Sequence, residues 1–262
     1  MENTQVKLLK KHAVVAGGAM GIGAGIVRCL ISDGWSVTIV DRVAAKAQAL
    51  ADELTDGGHQ AFAEVADITN PDQLKHLAAA VRDRVGANGI QALANSVGVF
   101  DERASMLKTD AESFRRVLNV NVVGAFMLTQ AMEPLFSQDA SVVHIGSING
   151  IRAGNGLAAY KTSKAALNMM ARCMALELAA DPRRIRVNVV APGWVDTEGE
   201  RKVLAAHGRA DLLGNPDSAN YMPLGRRQTA DEVGQTVAFL LSDKASQLTG
   251  QIIYVDGGLC AS

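Results

Sequence analysis

The stretch "HAVVAGGAMGIG", residues 12–23, decides the fold class. A short β-branched run leads into Gly17, Gly21 and Gly23, and a helical pattern follows. Glycines at a strand-to-helix junction let the backbone turn tightly and approach a phosphate, whose charge the N–H groups of the next helix favour. Tight turns need glycine in any case, so this cluster alone is a weak signal. The stretch predicts a strand, a phosphate-binding turn and a helix.

Similar strand-like runs alternate with longer helical stretches along the rest of the chain. The runs lie at 12–17, 35–41, 61–67, 90–96, 141–147, 185–192 and 251–258. Several are apolar at every position, which is typical of strands covered on both faces, and the intervening helices favour right-handed βαβ crossovers. No linker or repeat divides the chain. The sequence therefore predicts an α/β protein with a single domain over 1–262: a Rossmann-like, doubly wound parallel sheet of seven strands with helices on both faces.

Three longer segments depart from this regular alternation. Residues 113–136 and 158–180 are predicted as helices that are apolar around most of their circumference, so we expect them to be buried in the core or against another subunit. The segment from about 194 to 227 is long, mixed in charge and rich in glycine and proline. Long insertions of that kind often cover a substrate site, and the segment is predicted to be a lid.

Composition excludes several classes of function. Lys and Arg number 26 against 27 Asp and Glu, a net charge of −1, so no electrostatic footprint for nucleic acid or an anionic membrane is present. Cys29, Cys173 and Cys260 are far apart, and no histidine or cysteine spacing indicates a metal site. The start of the chain is polar and basic, without an apolar core of signal-peptide length, and no apolar run approaches the 18 residues of a membrane span. We expect a cytoplasmic protein that binds a small molecule, and we interpret His144 as a core residue.

Asp41 favours one dinucleotide over the other. It ends the second predicted strand, about 20 residues beyond the glycines, where a carboxylate can accept hydrogen bonds from the adenosine ribose. The same charge repels a 2′-phosphate, and Met20 in the glycine loop is neutral. Arg42 is a counter-signal because a guanidinium there could contact such a phosphate. The balance predicts NAD as the cofactor.

A second stretch, "GSINGIRAGNGLAAYKTSKAA" at 146–166, contains the candidate reacting groups. Lys164 follows Tyr160 by four residues, which places both side chains on one face of a helix. An ammonium group there would favour the phenolate and lower the pKa of Tyr160. Taken singly, Ser147 as a strand-end cap and Lys164 as a solvated lysine remain alternatives.

The combination resembles the short-chain dehydrogenase/reductase family over nearly the whole chain. The glycine loop, "VADIT", "ANSVG", "NVNVVG", "APGWVDT" and "YVDGG" stand where that family has its motifs. The resemblance implies four catalytic residues. Tyr160 would exchange the substrate proton, Ser147 would hold the substrate oxygen, Lys164 would bind the nicotinamide ribose, and Asn121 would hold a water leading to solvent. The cofactor-binding residues it implies are Gly17, Met20, Gly21, Ile22, Gly23, Asp41, Arg42, Asp67, Ile68, Asn95, Gly98, Tyr160, Lys164, Pro192, Gly193, Val195 and Thr197.

These expectations lead to a function with two alternatives. We predict an NAD-dependent oxidoreductase acting on a small secondary alcohol or ketone, with cyclic and polyhydroxylated compounds among the candidates, and a homotetramer as in many family members. An NADPH-dependent 3-oxoacyl-thioester reductase is the second reading, and a non-catalytic NAD-sensing regulator is the third. The candidate pocket residues are Ser147, Asn149, Ile151 and Trp194, with Phe100, His207 and Tyr221 as further walls.

Overall fold

The computed structural model describes residues 11–101, 104–206 and 222–261. Seven parallel strands form one sheet in the order β3-β2-β1-β4-β5-β6-β7. The strands are β1 His12–Ala16, β2 Ser36–Asp41, β3 Ala61–Val65, β4 Ile90–Asn95, β5 Phe136–Ile145, β6 Arg186–Pro192 and β7 Ile252–Val255. The main helices are α1 Gly21–Ser32, α2 Ala44–Asp56, α3 Pro71–Val85, α4 Ala111–Leu118, α5 Ala125–Met132, α6 Ala158–Ala180, α7 Glu198–Ala206 and α8 Ala230–Leu241. The predicted fold class is confirmed.

Helices cover both faces of the sheet because successive strand residues point to opposite sides. In β1, Ala13 and Val15 join one apolar core, and Val14 and Ala16 join the other. The first core packs against α1, α2 and α8, and the second against α3, α5 and α6. A fully apolar strand is therefore buried on both sides, as its sequence predicts.

Two glycines allow α1 and α8 to meet backbone to backbone. A Cβ atom at Gly25 would lie 2.6 Å from the carbonyl carbon of Ala230, and one at Gly234 would lie 2.7 Å from the carbonyl oxygen of Gly25. Real Cβ atoms essentially never come this close to backbone atoms. The crossing of the two helices therefore requires glycine at both positions.

The predicted helix at 113–136 is wrong in its continuity and its end. The chain forms α4, then a π-helical turn at Asn119–Gly124, then α5. A short turn at Glu133–Leu135 contains Pro134, which lacks an N–H donor, and Phe136 then pairs with Ile90. The strand predicted at 141–147 therefore spans Phe136–Ile145, with a register irregularity opposite β4. The other predicted strand ends coincide with the observed ones or differ from them by at most three residues.

Candidate active site

The carboxyl edge of the sheet brings the predicted site residues together. Because all seven strands are parallel, their carboxyl ends share one edge, which is where open α/β sheets bind ligands. The glycine loop follows β1, Asp41 ends β2 and Ser147 follows β5. Tyr160 and Lys164 lie in the first two turns of α6. Groups from distant parts of the sequence thus meet at one edge.

The glycine loop has the geometry that a phosphate cradle needs. Gly17 has φ +70°, and a Cβ atom at Gly23 would lie 1.9 Å from the carbonyl oxygen of Gly17. Met20, at the start of α1, makes no side-chain capping hydrogen bond. The first N–H groups of α1 are thus left without a side-chain cap, so they and the helix dipole favour an anion at this position.

Asp41 is held in place by the backbone around it. Its Oδ2 accepts a 3.3 Å hydrogen bond from the N–H of Ala19 in the glycine loop, and its Oδ1 accepts a 3.0 Å bond from the N–H of Val43. Two carboxylate oxygens have about four acceptor positions, so capacity remains for the hydroxyls of a ribose. Asp41 is therefore buried, oriented and still able to accept.

The remaining residues predicted to bind the adenosine end differ in what they present. Asp67 Oδ1 accepts hydrogen bonds from the backbone and hydroxyl of Thr69, which are the main causes lowering the pKa of Asp67, with a further contribution from Arg42. Ile68 and Asn95 are buried. The Asn95 side chain accepts a hydrogen bond from the backbone N–H of Val97, so it holds the loop that follows β4.

The backbone N–H and C=O of Val195 point away from Gln228, its partner in an isolated bridge. Gln228 donates its backbone N–H to Trp194 O at 3.1 Å, and its carbonyl accepts from Asp196 N at 2.8 Å. In an extended chain the N–H and C=O of the residue between them point to the opposite side. Neither group of Val195 has a hydrogen-bond partner among the described residues. A primary carboxamide, such as that of nicotinamide, needs this pair.

Neighbouring residues complete the wall at Val195. Pro192 ends β6, and the Thr197 methyl lies beside Gly21, where a Cβ atom would be 3.5 Å from it. Gly193 packs so closely that a Cβ atom there would lie 2.9 Å from the amide nitrogen of the Gln228 side chain. The segment that follows β6 and the glycine loop therefore lie next to each other.

Tyr160 is buried between Phe100 and Ser147. The ring centroids of Phe100 and Tyr160 are 4.3 Å apart and tilted by 32°. Burial raises the pKa of Tyr160 to about 12, a hydrogen bond with Ser147 lowers it in part, and the charge of Glu200 raises it. We expected Lys164 to lower the pKa of Tyr160. Burial has a larger effect than any other cause, so the pKa is raised instead.

The Lys164 ammonium group is anchored to the sheet. Its Nζ donates a 2.7 Å hydrogen bond to the carbonyl of Ile145, and it lies 5.6 Å from the centre of the Tyr160 ring. Burial lowers the pKa of Lys164 to about 8, so the group is still mostly protonated at pH 7. Gly98 lies next to this group, since a Cβ atom there would be in ordinary contact with Nζ at 3.5 Å.

Asn121 uses its side chain to hold other parts of the site. In the π-helical turn, its Oδ1 accepts from the N–H of Val99, and its Nδ2 donates to Val99 O and to the hydroxyl of Ser163. Ser163 in turn donates to the carbonyl of Tyr160 at 2.7 Å. Both donor hydrogens of the amide are thus committed to protein partners.

Sequence reasoning missed two residues that contact the backbone of Tyr160. Ser163 is fully buried, and its place next to Lys164 on an apolar helix face was the signal that could have found it. Asp101 accepts a hydrogen bond from the N–H of Tyr160. No local pattern points to Asp101, because its partner lies 59 residues away.

The candidate pocket residues differ in their contacts and in their exposure. The Ser147 hydroxyl accepts from the N–H of Asn149, whose Oδ1 accepts from Lys161 at 2.5 Å. Ile151 is exposed, and Trp194 stacks under the guanidinium of Arg227 at 5.2 Å. His207, Tyr221 and the lid between them lie outside the described residues.

The described part of the chain has neither a cluster of metal-ligating side chains nor a membrane-spanning helix. Residues 11–101, 104–206 and 222–261 contain no group of three or more His, Cys, Asp or Glu side chains arranged to hold a metal ion. Within the same ranges, no helix has both the length and the apolar character needed to cross a membrane. His144 is fully buried beside Asn95, and burial lowers its pKa to about 4, as a core residue requires.

Known proteins resemble this chain over almost its whole length. A family model described as enoyl-(acyl carrier protein) reductase matches residues 17–260. A 3-oxoacyl-[acyl-carrier-protein] reductase of Thermotoga maritima is 32% identical over 256 residues, 97% of this chain and 99% of that one. A cis-4-hydroxycyclohexanecarboxylate dehydrogenase of Sinomonas cyclohexanicum is 34% identical over 256 residues, 96% of this chain and 97% of the other.

A solved structure agrees with these sequence matches. A short-chain dehydrogenase/reductase from Serratia marcescens superposes with a TM-score of 0.85 at 32% identity, covering 96% of this chain and 98% of that one. With the seven-stranded parallel sheet and the cluster of Ser147, Tyr160 and Lys164 at its carboxyl edge, the chain belongs to the short-chain dehydrogenase/reductase family of oxidoreductases.

Proposed function

We propose that the protein is an NAD-dependent dehydrogenase of small secondary alcohols, cyclic ones included, working in the cytoplasm. The observation that carries the proposal is the placement of Tyr160 and Ser147 beside Lys164, at the edge that also holds the glycine loop and Asp41. The dehydrogenase relative named for a hydroxylated cyclohexane carboxylate supports a cyclic substrate. The three free cysteines agree with a reducing compartment.

The residues present fit NAD. Asp41 has acceptor capacity for ribose hydroxyls, the start of α1 has no side-chain cap, and Val195 offers a donor and an acceptor to a carboxamide. Bound NAD would supply the hydride acceptor and the positive charge of its oxidised ring. Arg42 is exposed beside Asp67, so it is the residue that a 2′-phosphate would contact.

The chain's own groups manage one proton. In alcohol oxidation Tyr160 takes the hydroxyl proton as the carbon loses its hydride, and it returns the proton in the reverse direction. Ser147 hydrogen-bonds the substrate oxygen and orients it. The Lys164 ammonium, 5.6 Å from the centre of the Tyr160 ring, is assigned the role of favouring the phenolate, which burial disfavours.

A 3-oxoacyl-thioester reductase is the second candidate, because relatives with that name match this chain. Purified protein should be given NAD or NADP with a panel of secondary alcohols and cyclic diols, and NADH or NADPH with a 3-oxoacyl thioester. Reduced nicotinamide is followed by absorbance. Turnover of the thioester with NADPH alone would favour the second candidate, and NAD binding without any turnover would favour a regulator.

A further inference from the structure

The helix that carries Tyr160 has no capping residue of its own. α6 begins at Ala158, and the preceding Leu157 adopts φ +58° and makes no side-chain capping bond. The first N–H groups of a helix have no partner within the helix. At a buried helix start they need an acceptor from elsewhere.

Asp101 supplies that acceptor. Its Oδ2 accepts a hydrogen bond from the N–H of Ala159 at 3.2 Å, and its Oδ1 accepts one from the N–H of Tyr160 at 3.1 Å. Asp101 is only 5% exposed. A carboxylate at a helix start is favoured by the helix dipole, and its hydrogen bonds are charge-assisted. One buried side chain therefore holds both N–H groups at the start of the helix.

The segment that ends at Asp101 is itself fixed to the site. Val99 exchanges two hydrogen bonds with the Asn121 amide, at 2.8 and 2.9 Å, and the ring of Phe100 packs against that of Tyr160. The carbonyl of Tyr160 accepts from Ser163, which is bonded to Asn121 as well. The backbone of Tyr160 is thus held at its N–H by Asp101 and at its carbonyl by Ser163.

We propose that Asp101 is a positioning residue for proton transfer, which fixes the first turn of α6 so that the Tyr160 phenol is held at the substrate oxygen. The proposal rests on the proposed function of Tyr160 as acid and base. Asp101 acts only through the backbone of Tyr160. Without its carboxylate, two buried N–H groups lose their acceptor and the helix start loosens.

The test compares Asp101→Ala and Asp101→Asn with a matched control. Asp110 caps α4 in the same way, by accepting from the N–H of Ser113 at 2.9 Å, but at an exposed position. We expect kcat of Asp101→Ala to fall by roughly 10- to 100-fold, since a displacement of about 1 Å can cost about 10²-fold. KM and the Kd for NAD should stay within about twofold. Asp101→Asn keeps one acceptor oxygen and should recover part of the loss, whereas Asp110→Ala should keep its kcat.

A second measurement does not depend on turnover. Hydrogen exchange of the peptide covering 157–164, in protein without cofactor, should speed up by about tenfold or more in Asp101→Ala and stay unchanged in Asp110→Ala. A kcat of Asp101→Ala within threefold of wild type, or an equal loss in Asp110→Ala, overturns the positioning role. The two proposals fail separately: a wild-type protein that oxidises no alcohol overturns the proposed function, whereas unchanged exchange at 157–164 overturns this one.

Discussion

The Nζ of Lys164 lies 5.6 Å from the centre of the Tyr160 ring while donating a 2.7 Å hydrogen bond to the carbonyl of Ile145. The cation is therefore fixed by the last residue of β5, so its place beside the phenol does not depend on the flexible lysine chain. Burial raises the pKa of the phenol and lowers that of the ammonium. The protonation of Tyr160 and of Lys164 can therefore be tested by substituting each residue.

Tyr160→Phe removes the oxygen that exchanges the proton and little packing. We expect kcat to fall by about 10²- to 10⁴-fold, the usual contribution of a general acid or base. The Kd for NAD should remain nearly unchanged in a fluorescence titration. Tyr254→Phe, on the partly exposed tyrosine of β7, is the control and should keep full activity. Turnover of Tyr160→Phe within threefold of wild type would refute the assigned role.

Lys164 should make stability depend on alkaline pH. Its folded pKa of about 8 lies below the unfolded value of 10.5, so the unfolded chain binds more protons between these limits. Stability should therefore rise with pH across this interval, by up to about 3 kcal/mol. Tyr160 has the opposite effect above pH 10.

Urea unfolding at pH 7.5 and 10 would measure this effect. Relative to wild type, Lys164→Met should lack most of the gain in the free energy of unfolding. Lys244→Met, at an exposed lysine, should retain it. Parallel pH curves for wild type and Lys164→Met would mean that the buried lysine does not titrate as described.

Asp41→Ala should change the cofactor preference. The carboxylate is expected to accept charge-assisted hydrogen bonds from the ribose, each worth about 1.5–3 kcal/mol, or roughly 10- to 150-fold in affinity. Loss of the carboxylate should weaken the binding of NAD and remove the repulsion of a 2′-phosphate. Arg42 could then approach that phosphate. The measurement is kcat/KM with both cofactors. Asp41→Asn, which keeps an acceptor for a backbone N–H, separates loss of charge from loosening of the glycine loop.

The prediction compares the kcat/KM for NAD with the kcat/KM for NADP. If this ratio is unchanged in Asp41→Ala, or if the wild type already prefers NADP, Asp41 does not set the cofactor preference. Asp56→Ala at the end of α2 is a control for removing a negative charge from the same face of the sheet. It should leave the ratio within about twofold, since exposed charges are screened by solvent.

The outer faces of the helices around the site should join subunits. Val123 and Phe126 are each 45% exposed, and Met169 and Leu176 on α6 are 58% and 78% exposed. Large apolar side chains grouped in this way usually mark an interface. We expect a homotetramer in light scattering at micromolar concentration, and a smaller species for Leu176→Glu. Val65→Glu, at the edge strand β3, should keep the wild-type mass, whereas a 27.6 kDa wild-type particle would contradict the proposal.

The segment from Trp194 to Arg227 should close over bound ligands. In the described part of this segment, Glu198 of α7 forms an ion pair with Lys46 of α2 at 3.8 Å. Both side chains are exposed to solvent, and exposed ion pairs contribute little to stability. Hydrogen exchange in this segment should slow when NAD and an alcohol are added together. Equal protection with and without the ligands would argue against a lid.

Local sequence patterns predicted the features that depend on neighbouring residues. The glycine loop, the end of β2 at Asp41 and the spacing of Tyr160 and Lys164 each follow from a few consecutive positions. The break at Asn121 and the early start of β5 at Phe136 depend on pairing with distant segments, which no helical pattern reveals. The contact of Asp101 with Tyr160 joins the loop after β4 to the first turn of α6, which only the folded sheet brings together. For the same reason the raised pKa of Tyr160 could not be predicted.

The contact between Gly25 and Gly234 links the helices that follow two parts of the proposed cofactor site, the glycine loop and the segment around Val195. α1 begins at the glycine loop, and α8 begins two residues after Gln228, whose backbone orients Val195. Since the two backbones are in direct contact at this crossing, a displacement of one helix would be passed on to the other. We therefore expect a methyl group added at either glycine to shift the glycine loop relative to the segment around Val195. Cofactor binding would then weaken because the distance between these two proposed binding regions changes, although the residues of both regions stay the same.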